Sequence, residues 1–324
     1  MKRFILILSL IALSVQVHAE VPAKPEPRIK RVLIISIDGL RPDVLLRANT
    51  PTVHELMAHG SFTMWAKTTP ASITLPSHVS MLTGVAPEQH AIFWNSDLPL
   101  EKPVYPAVPT IFEMARKEGY TTAIAAGKSK FSVFDKPADG HQPAALSWKW
   151  ITTDAKTTDN EVTRYAVAIL KDHQPDVMFV HLPECDTVGH AVGWGTLEQI
   201  KTVENADHCI ANLQNALGET KLFESTLIIV TSDHGGAGRT HGPEDPRSRS
   251  IPWIAKGPGV RENFDLTRLG KEHDVTTYDT FATACFVLGI PIDHRIDGKP
   301  IQQIFNNQEM MISTFQPSMA PATN

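Results

Sequence analysis

Cysteine is scarce. The chain has three (Cys185, Cys209 and Cys285), so no disulfide framework holds this fold and at most one bridge can form. Basic excess is missing as well. The formal net charge is −5, the sequence pI is near 6.3, and no run of Lys and Arg exceeds a pair, so nucleic acid is not an expected partner. Beyond the N-terminus, no segment approaches the roughly 18 uninterrupted apolar residues of a membrane span. Internal repeats are absent too, which argues against a solenoid or propeller.

One apolar stretch does stand at the start. Lys2 and Arg3 precede it, it runs from Phe4 to Val17, and Val17-His18-Ala19 supplies small residues at a cleavage position. That layout predicts a signal peptide over 1–19 and a mature chain exported to a periplasmic or extracellular space, with no stable membrane span once the signal is removed. An uncleaved N-terminal anchor is the alternative. A proline-rich lead-in follows over 20–30. The remaining length suits one large α/β domain over 31–304, with a loosely ordered tail over 305–324.

Within the domain, RVLIISI at residues 31–37 is a continuous β-branched and aliphatic run of the buried-strand type. Similar runs occupy 121–126, 176–182 and 226–231. Helical periodicity lies between them. Residues 160–173 align Val162, Tyr165, Ala166, Ile169 and Leu170 on one face, and 196–217 align Ile200, Val203, Cys209, Ile210, Leu213 and Leu217. A late helix is expected over 276–288, capped by Thr276 or Asp274. Strands alternating with helices predict an α/β fold with a largely parallel central sheet and helices on both faces.

Three of these strands run into residues of the types that can bind metal ions. The first leads to Asp38-Gly39, the third to Glu184-Cys185-Asp186 and His190, and the fourth to Ser232-Asp233-His234. A single Asp after a strand is usually a turn former or cap. Three clusters at strand ends, two of them with histidine, are poorly explained that way. They should converge beyond the carboxyl ends of the strands and offer mixed oxygen and nitrogen donors suited to zinc. A further segment places the hydroxyl of Thr74 before Pro76, at the start of a helix over 76–82. Thr74 is then either a nucleophile near a helix N-terminus or simply its N-cap.

The strings I-D-G-L-R-P-D (37–43), T-L-P-S-H (74–78) with L-T-G and P-E-Q-H behind it, E-C-D-T-V-G-H (184–190), S-D-H-G-G (232–236) and T-H-G-P (240–243) come in one order. Together they make the chain resemble the nucleotide pyrophosphatase/phosphodiesterase family of the alkaline phosphatase superfamily. The resemblance implies an alkaline-phosphatase-like fold and a hydrolase of phosphodiesters or nucleotide phosphoanhydrides that works on small phosphate esters. It implies two Zn2+ ions, one held by Asp186, His190 and His241, the other by Asp38, Asp233, His234 and the nucleophile Thr74. Asn95 would donate to a phosphoryl oxygen. The chemistry agrees, since a hydroxyl activated by a metal becomes an effective nucleophile at neutral pH and a metal pair stabilises both the attacking and leaving oxygens.

Departures sharpen the reading. The sulfatase branch needs Cys or Ser in a C/S-x-P-x-R string, and this chain has Thr74-Leu75-Pro76-Ser77-His78 instead. Cys185 stands where the family has proline, as a buried small residue or a soft contact to a ligand. His241 follows His234 sooner than in larger relatives. His208 and His273 read as surface or packing residues. Lys128 and Lys130 fall where monoesterases of the superfamily carry a K-x-R pair on phosphate, and are either substrate-binding cations of a phosphomonoesterase or solvated loop lysines. Residues 98–158 are the expected cap or insertion. The aromatics in and beside it (Trp94, Tyr105, Trp148, Trp150) stack on a flat leaving group or form a satellite core. A metal-loaded binding protein would need no nucleophile, and transferases of the superfamily carry an additional lobe or membrane domain.

Overall fold

The structure, a computed structural model, describes residues 29–96, 103–270 and 274–305. The expected signal segment, nearly all of the lead-in, the tail from residue 306 and His273 lie outside the described residues. No helix among those described is long and apolar enough to cross a membrane.

Eight strands form one sheet: β1 (Arg31–Ile37), β2 (Ser61–Lys67), β3 (Thr122–Ala126), β4 (Trp148–Ile151), β5 (Val177–Leu182), β6 (Thr226–Thr231), β7 (Ser250–Lys256) and β8 (Phe264–Asp265). Their spatial order is β4-β3-β5-β1-β6-β7-β2-β8. The five strands from β4 to β6 are parallel. β7 then runs antiparallel to both β6 and β2, and β8 pairs in parallel with β2 through Ser61 and Phe62 only.

Helices cover both faces: α1 (Pro42–Arg47), α2 (Pro51–Ala58), α3 (Thr74–Thr83), α4 (Pro87–His90), α5 (Ile111–Lys117), α6 (Asp159–His173), α7 (Glu184–Val192), α8 (Leu197–Glu219) and α9 (Tyr278–Leu288). Strand alternation sorts the core into two layers. Val32, Ile34, Phe179 and Ile229 join Val79, Phe112 and Phe281 of α3, α5 and α9. Leu33, Ile35, Val180 and Val230 join Val44, Val53, Val162 and Leu213 of α1, α2, α6 and α8. Burial on both faces is why the central strands read as unbroken apolar runs.

Capping explains several helix starts. Thr110 and Glu113 form a reciprocal capping box on α5, and the side chains of Thr158 and Thr196 accept from Glu161 N and Gln199 N at the starts of α6 and α8. At α9 the expected cap is corrected. The N-cap is Thr277, without a side-chain bond. Instead the Asp279 carboxylate turns back to accept from Thr276 N and Lys299 N, both at 2.7 Å. The 98–158 segment, read as a cap, contributes β3 and β4 to the sheet and α5 to one face.

His90, closing α4, gives a testable property of this scaffold. Its ring is fully buried, accepts from Ile92 N at Nδ1 (3.1 Å) and faces Ser80 Oγ with Nε2 (3.0 Å). Burial lowers its pKa from 6.5 to about 4. The folded state therefore binds fewer protons than the unfolded chain between those values, and stability falls as the pH drops from 6.5 towards 4. At about 1.4 kcal/mol per unit, the loss is on the order of 3 kcal/mol. Chemical denaturation of the His90→Gln variant between pH 4 and 7 should show a flatter pH dependence than wild type. Parallel curves would remove His90 as the source.

Candidate active site

Four loops at the carboxyl ends of parallel strands meet at one point. β1 ends at Asp38. Gly39 follows with φ +72°, and a Cβ there would lie 3.1 Å from Asp186, so glycine allows the two carboxylate loops to touch. β5 leads into α7, which puts Asp186 and His190 four residues apart on one helical face, with His190 Nε2 at 3.3 Å from Asp186 Oδ1. β6 delivers Asp233 and His234, both fully buried. β3 delivers Lys128. The loop after β6 then carries His241 back, its Nε2 at 3.7 Å from Asp186 Oδ1.

Two sets of ligand atoms lie within 4.8 Å of one another: Asp186, His190 and His241, and Asp38, Asp186 and His234. The free oxygen of Asp233, Oδ2, is 3.2 Å from His234 Nε2 and faces the same space. All six residues that the resemblance implied as Asp and His ligands are thus brought together. Asp186 is shared between the two sets.

The donor arrangement fits divalent cations. One oxygen of each carboxylate (Asp38 Oδ1, Asp186 Oδ1, Asp233 Oδ2) is buried without a hydrogen-bond partner. The other oxygens are occupied; Gly39 N, for example, donates to Asp233 Oδ1 at 3.1 Å. Each histidine turns Nδ1 to a backbone carbonyl: His190 to Arg239 at 3.0 Å, His234 to Gly235 at 2.8 Å, His241 to Ser72 at 2.8 Å. An Nδ1–H donated outward leaves the Nε2 lone pair inward, as metal-binding imidazoles require. Burial holds His234 neutral, lowering its pKa to about 4. Burial, together with the charges of Asp38 and Asp186, pushes Asp233 well above the usual carboxylate range, the mark of an anionic cluster short of positive charge.

Thr74 is the first residue of α3, and its side chain makes no cap bond. The hydroxyl instead lies 3.2 Å from His234 Nε2 and donates into the cluster. The N-cap alternative therefore fails: Ile73 precedes the helix in extended conformation. Asn95 Oδ1 accepts from Leu75 N at 2.9 Å, which holds the carboxamide beside Thr74 with its NH2 still able to donate. Lys130 Nζ bonds the Asn95 carbonyl (2.8 Å) and Oδ1 (3.2 Å) and stays outside the carboxylate cluster. Lys128 is no solvated loop lysine. Its Nζ donates to Asp38 Oδ2 at 2.6 Å and to Asp186 Oδ2 at 2.7 Å.

Several site residues carried no signal recognised in the sequence. His181, within β5, places Nε2 at 2.9 Å from Asp38 Oδ2. His78 donates Nδ1–H to the Thr74 carbonyl (2.8 Å) and pairs Nε2 with Ser36 Oγ (2.8 Å), bracing the turn that carries Thr74. Trp194 donates to Gly39 O at 2.8 Å and meets the His190 ring edge-on. A Cβ on Gly236 would sit 2.3 Å from the Trp194 ring, so that glycine is what lets the indole pack under the metal loops. The available clue for His181 was a histidine inside an otherwise apolar, buried strand; His78 stands within the T-L-P-S-H string, which by itself assigns it no role. Cys185 belongs to neither ligand set; its thiol sits 3.6 Å from Gln199 Nε2. All three cysteines are free and buried. His208 is exposed on α8.

Beside Asn95 opens a cleft of about 830 Å3, lined by Trp94, Tyr105, Lys130, Lys149 and Trp150 among others. Trp150 also stacks on Tyr165, and Trp148 stacks on His173. The aromatics therefore divide, with Trp148 packed and the other three at the cleft.

Comparison with known proteins agrees with this geometry. A family model for type I phosphodiesterase / nucleotide pyrophosphatase matches residues 32–244. An uncharacterized pyrophosphatase/phosphodiesterase of Schizosaccharomyces pombe is 25 % identical over 221 residues, 64 % of this chain and 44 % of that protein. The human GPI ethanolamine phosphate transferase 2 catalytic subunit is 25 % identical over 284 residues, 83 % of this chain and 27 % of that protein. The chain thus spans less than half the length of these curated relatives. Murine ectonucleotide pyrophosphatase/phosphodiesterase 5, solved in complex with AMP, superposes with a TM-score of 0.69 at 15 % identity, covering 86 % of this chain and all of that one. The fold is alkaline-phosphatase-like, and the chain belongs to the type I phosphodiesterase / nucleotide pyrophosphatase family.

Proposed function

We propose that this chain is an exported two-metal hydrolase of phosphodiesters or nucleotide phosphoanhydrides that works through a phosphothreonine on Thr74. The observation that carries the reading is the set of three buried carboxylates, each with one unpaired oxygen, and three inward Nε2 atoms, one of which, on His234, meets the buried hydroxyl of Thr74. Mixed imidazole and carboxylate donors suit Zn2+, which when bound supplies Lewis acidity and charge neutralisation for phosphoryl transfer.

The chain's own groups do the rest. Asp38, Asp233, His234 and Thr74 would hold one ion and Asp186, His190 and His241 the other, with Asp186 also within reach of the first. Thr74 Oγ attacks phosphorus as its proton passes to solvent, a P–Oγ bond forms, and the bond to the leaving oxygen breaks. Water then attacks the phosphothreonine and returns the hydroxyl. The Asn95 NH2, fixed by the Leu75 N bond to its oxygen, donates to a phosphoryl oxygen. Trp94, Tyr105 and Trp150 line the cleft that receives the leaving group. Export is supported by the N-terminal sequence alone. A phosphomonoesterase using Lys128 and Lys130 is the second reading, favoured by Lys130, which bonds Asn95 beside Thr74; it requires Lys128 to leave Asp38 and Asp186.

A substrate panel tests the assignment. Zinc-loaded protein should turn over a nitrophenyl nucleotide ester and bis-nitrophenyl phosphate faster than nitrophenyl phosphate, lose activity on chelation and regain it with zinc. A monoester preference of about a hundredfold, some 2.7 kcal/mol in the transition state, would favour the second reading. Full activity in protein shown by elemental analysis to be metal-free would exclude the metal mechanism.

A further inference from the structure

Asp38 and Asp186 divide their oxygens in the same way. In each, Oδ1 is buried and unpaired, while Oδ2 is bonded to the same ammonium. That ammonium is Lys128, whose side chain is only 16 % exposed. Asp38 Oδ2 has a second donor in His181 Nε2. Lys128 therefore lies behind the ligand oxygens and leaves the inward ones open. We propose that Lys128 is a positioning residue of the metal centre, a resident counter-cation that clamps Asp38 to Asp186, keeps the metal-free site folded, and weakens the ions' hold on the site. This rests on the metal reading above.

The argument is one of charge. Asp38, Asp186 and Asp233 are three carboxylates in one buried cluster, and Lys128 is the cation hydrogen-bonded to two of them. Without ions, removing it leaves buried carboxylates facing one another, which is strongly destabilising. With ions present the same positive charge is redundant, and it repels them at short range in a medium of low dielectric. Alignment is lost only in part when Lys128 is removed, because His181 still holds Asp38 and α7 still carries Asp186.

The test compares wild type with Lys128→Met and Lys128→Arg, each stripped of metal and then titrated with zinc. Metal-free Lys128→Met should melt roughly 10 °C below metal-free wild type, the scale expected for a broken buried pair in a domain of this size. The zinc-loaded forms should melt within about 3 °C of each other. Zinc should bind the methionine variant about tenfold tighter or more. Lys128→Arg, which keeps the charge, should restore the metal-free melting temperature. If Lys128→Met survives only with zinc and unfolds on stripping, the proposal also stands. Unchanged metal-free melting, or zinc affinity equal to or weaker than wild type, overturns it. If wild type itself takes up no zinc, the metal reading fails, and the metal-free melting comparison still decides whether Lys128 holds the carboxylates.

Discussion

Thr74→Ala should lower kcat/KM by roughly a thousandfold or more while leaving fold and metal content almost unchanged. The residue is 1 % exposed, and its hydroxyl meets His234 Nε2 in the carboxylate–imidazole cluster and does not cap its helix. Truncation removes the attacking oxygen but no backbone contact. His78 still binds the residue-74 carbonyl and Asn95 still binds Leu75 N. Thr74→Ser should keep measurable activity, because it retains a hydroxyl on the same backbone. Circular dichroism and elemental analysis of the alanine variant separate lost chemistry from lost structure. Turnover within about tenfold of wild type, only 1.4 kcal/mol, would leave Thr74 without a catalytic role.

The second large effect is expected at Asp186. This residue belongs to both ligand sets, so replacing it should disturb both ions together, whereas His190 or His241 serves one. Outer partners of metal ligands already cost about 10–100-fold in affinity, so Asp186→Asn should exceed that and bring activity to background. The asparagine keeps the shape of the α7 first turn, and Lys128 keeps Asp38 as a partner. Zinc content per chain is the direct measurement. Two ions retained in the folded variant would mean that Asp186 is not a shared ligand.

The parallel half of the fold was legible because its strands are buried on both faces. RVLIISI and TLIIVT match β1 and β6 end to end, and the runs at 121–126 and 176–182 begin one residue before β3 and β5. The antiparallel half was not. β7 carries Pro252 in its interior, and β2 is half-exposed with Trp65 in solvent. At the parallel edge β4 was missed too, a four-residue strand whose tryptophans resemble loop aromatics. α7 was hidden because its ligand string reads as a loop: glycine, proline and threonine obscure the helical spacing of Asp186 and His190. The capping box of Thr110 and Glu113 was a visible signal for α5 that periodicity alone passed over.

At the site, the ligand types could be read because Asp and His at strand ends have few structural explanations. Their supports could not. Two of the three inward Nε2 atoms depend on a backbone carbonyl from a distant loop, Arg239 for His190 and Ser72 for His241, and a carbonyl leaves no trace in residue identity. The position of Lys128 was undecided for a similar reason. A lysine after a strand may face water or a carboxylate pair, and only the convergence of β1, β3 and β5 selects between them.

All ten residues of α3 are buried. A helix enclosed on every side has no independent opening of its own, and its amides exchange with solvent only when the surrounding sheet and α9 come apart. Thr74, the proposed nucleophile, therefore belongs to the most slowly opening part of the molecule, while His190, 44 % exposed, sits at the solvent edge of the site. Heat or denaturant short of global unfolding acts on the metal-binding rim and leaves Thr74 in place. Under the proposed mechanism, inactivation that zinc can reverse is then the first stage of damage, and displacement of Thr74 coincides with loss of the fold.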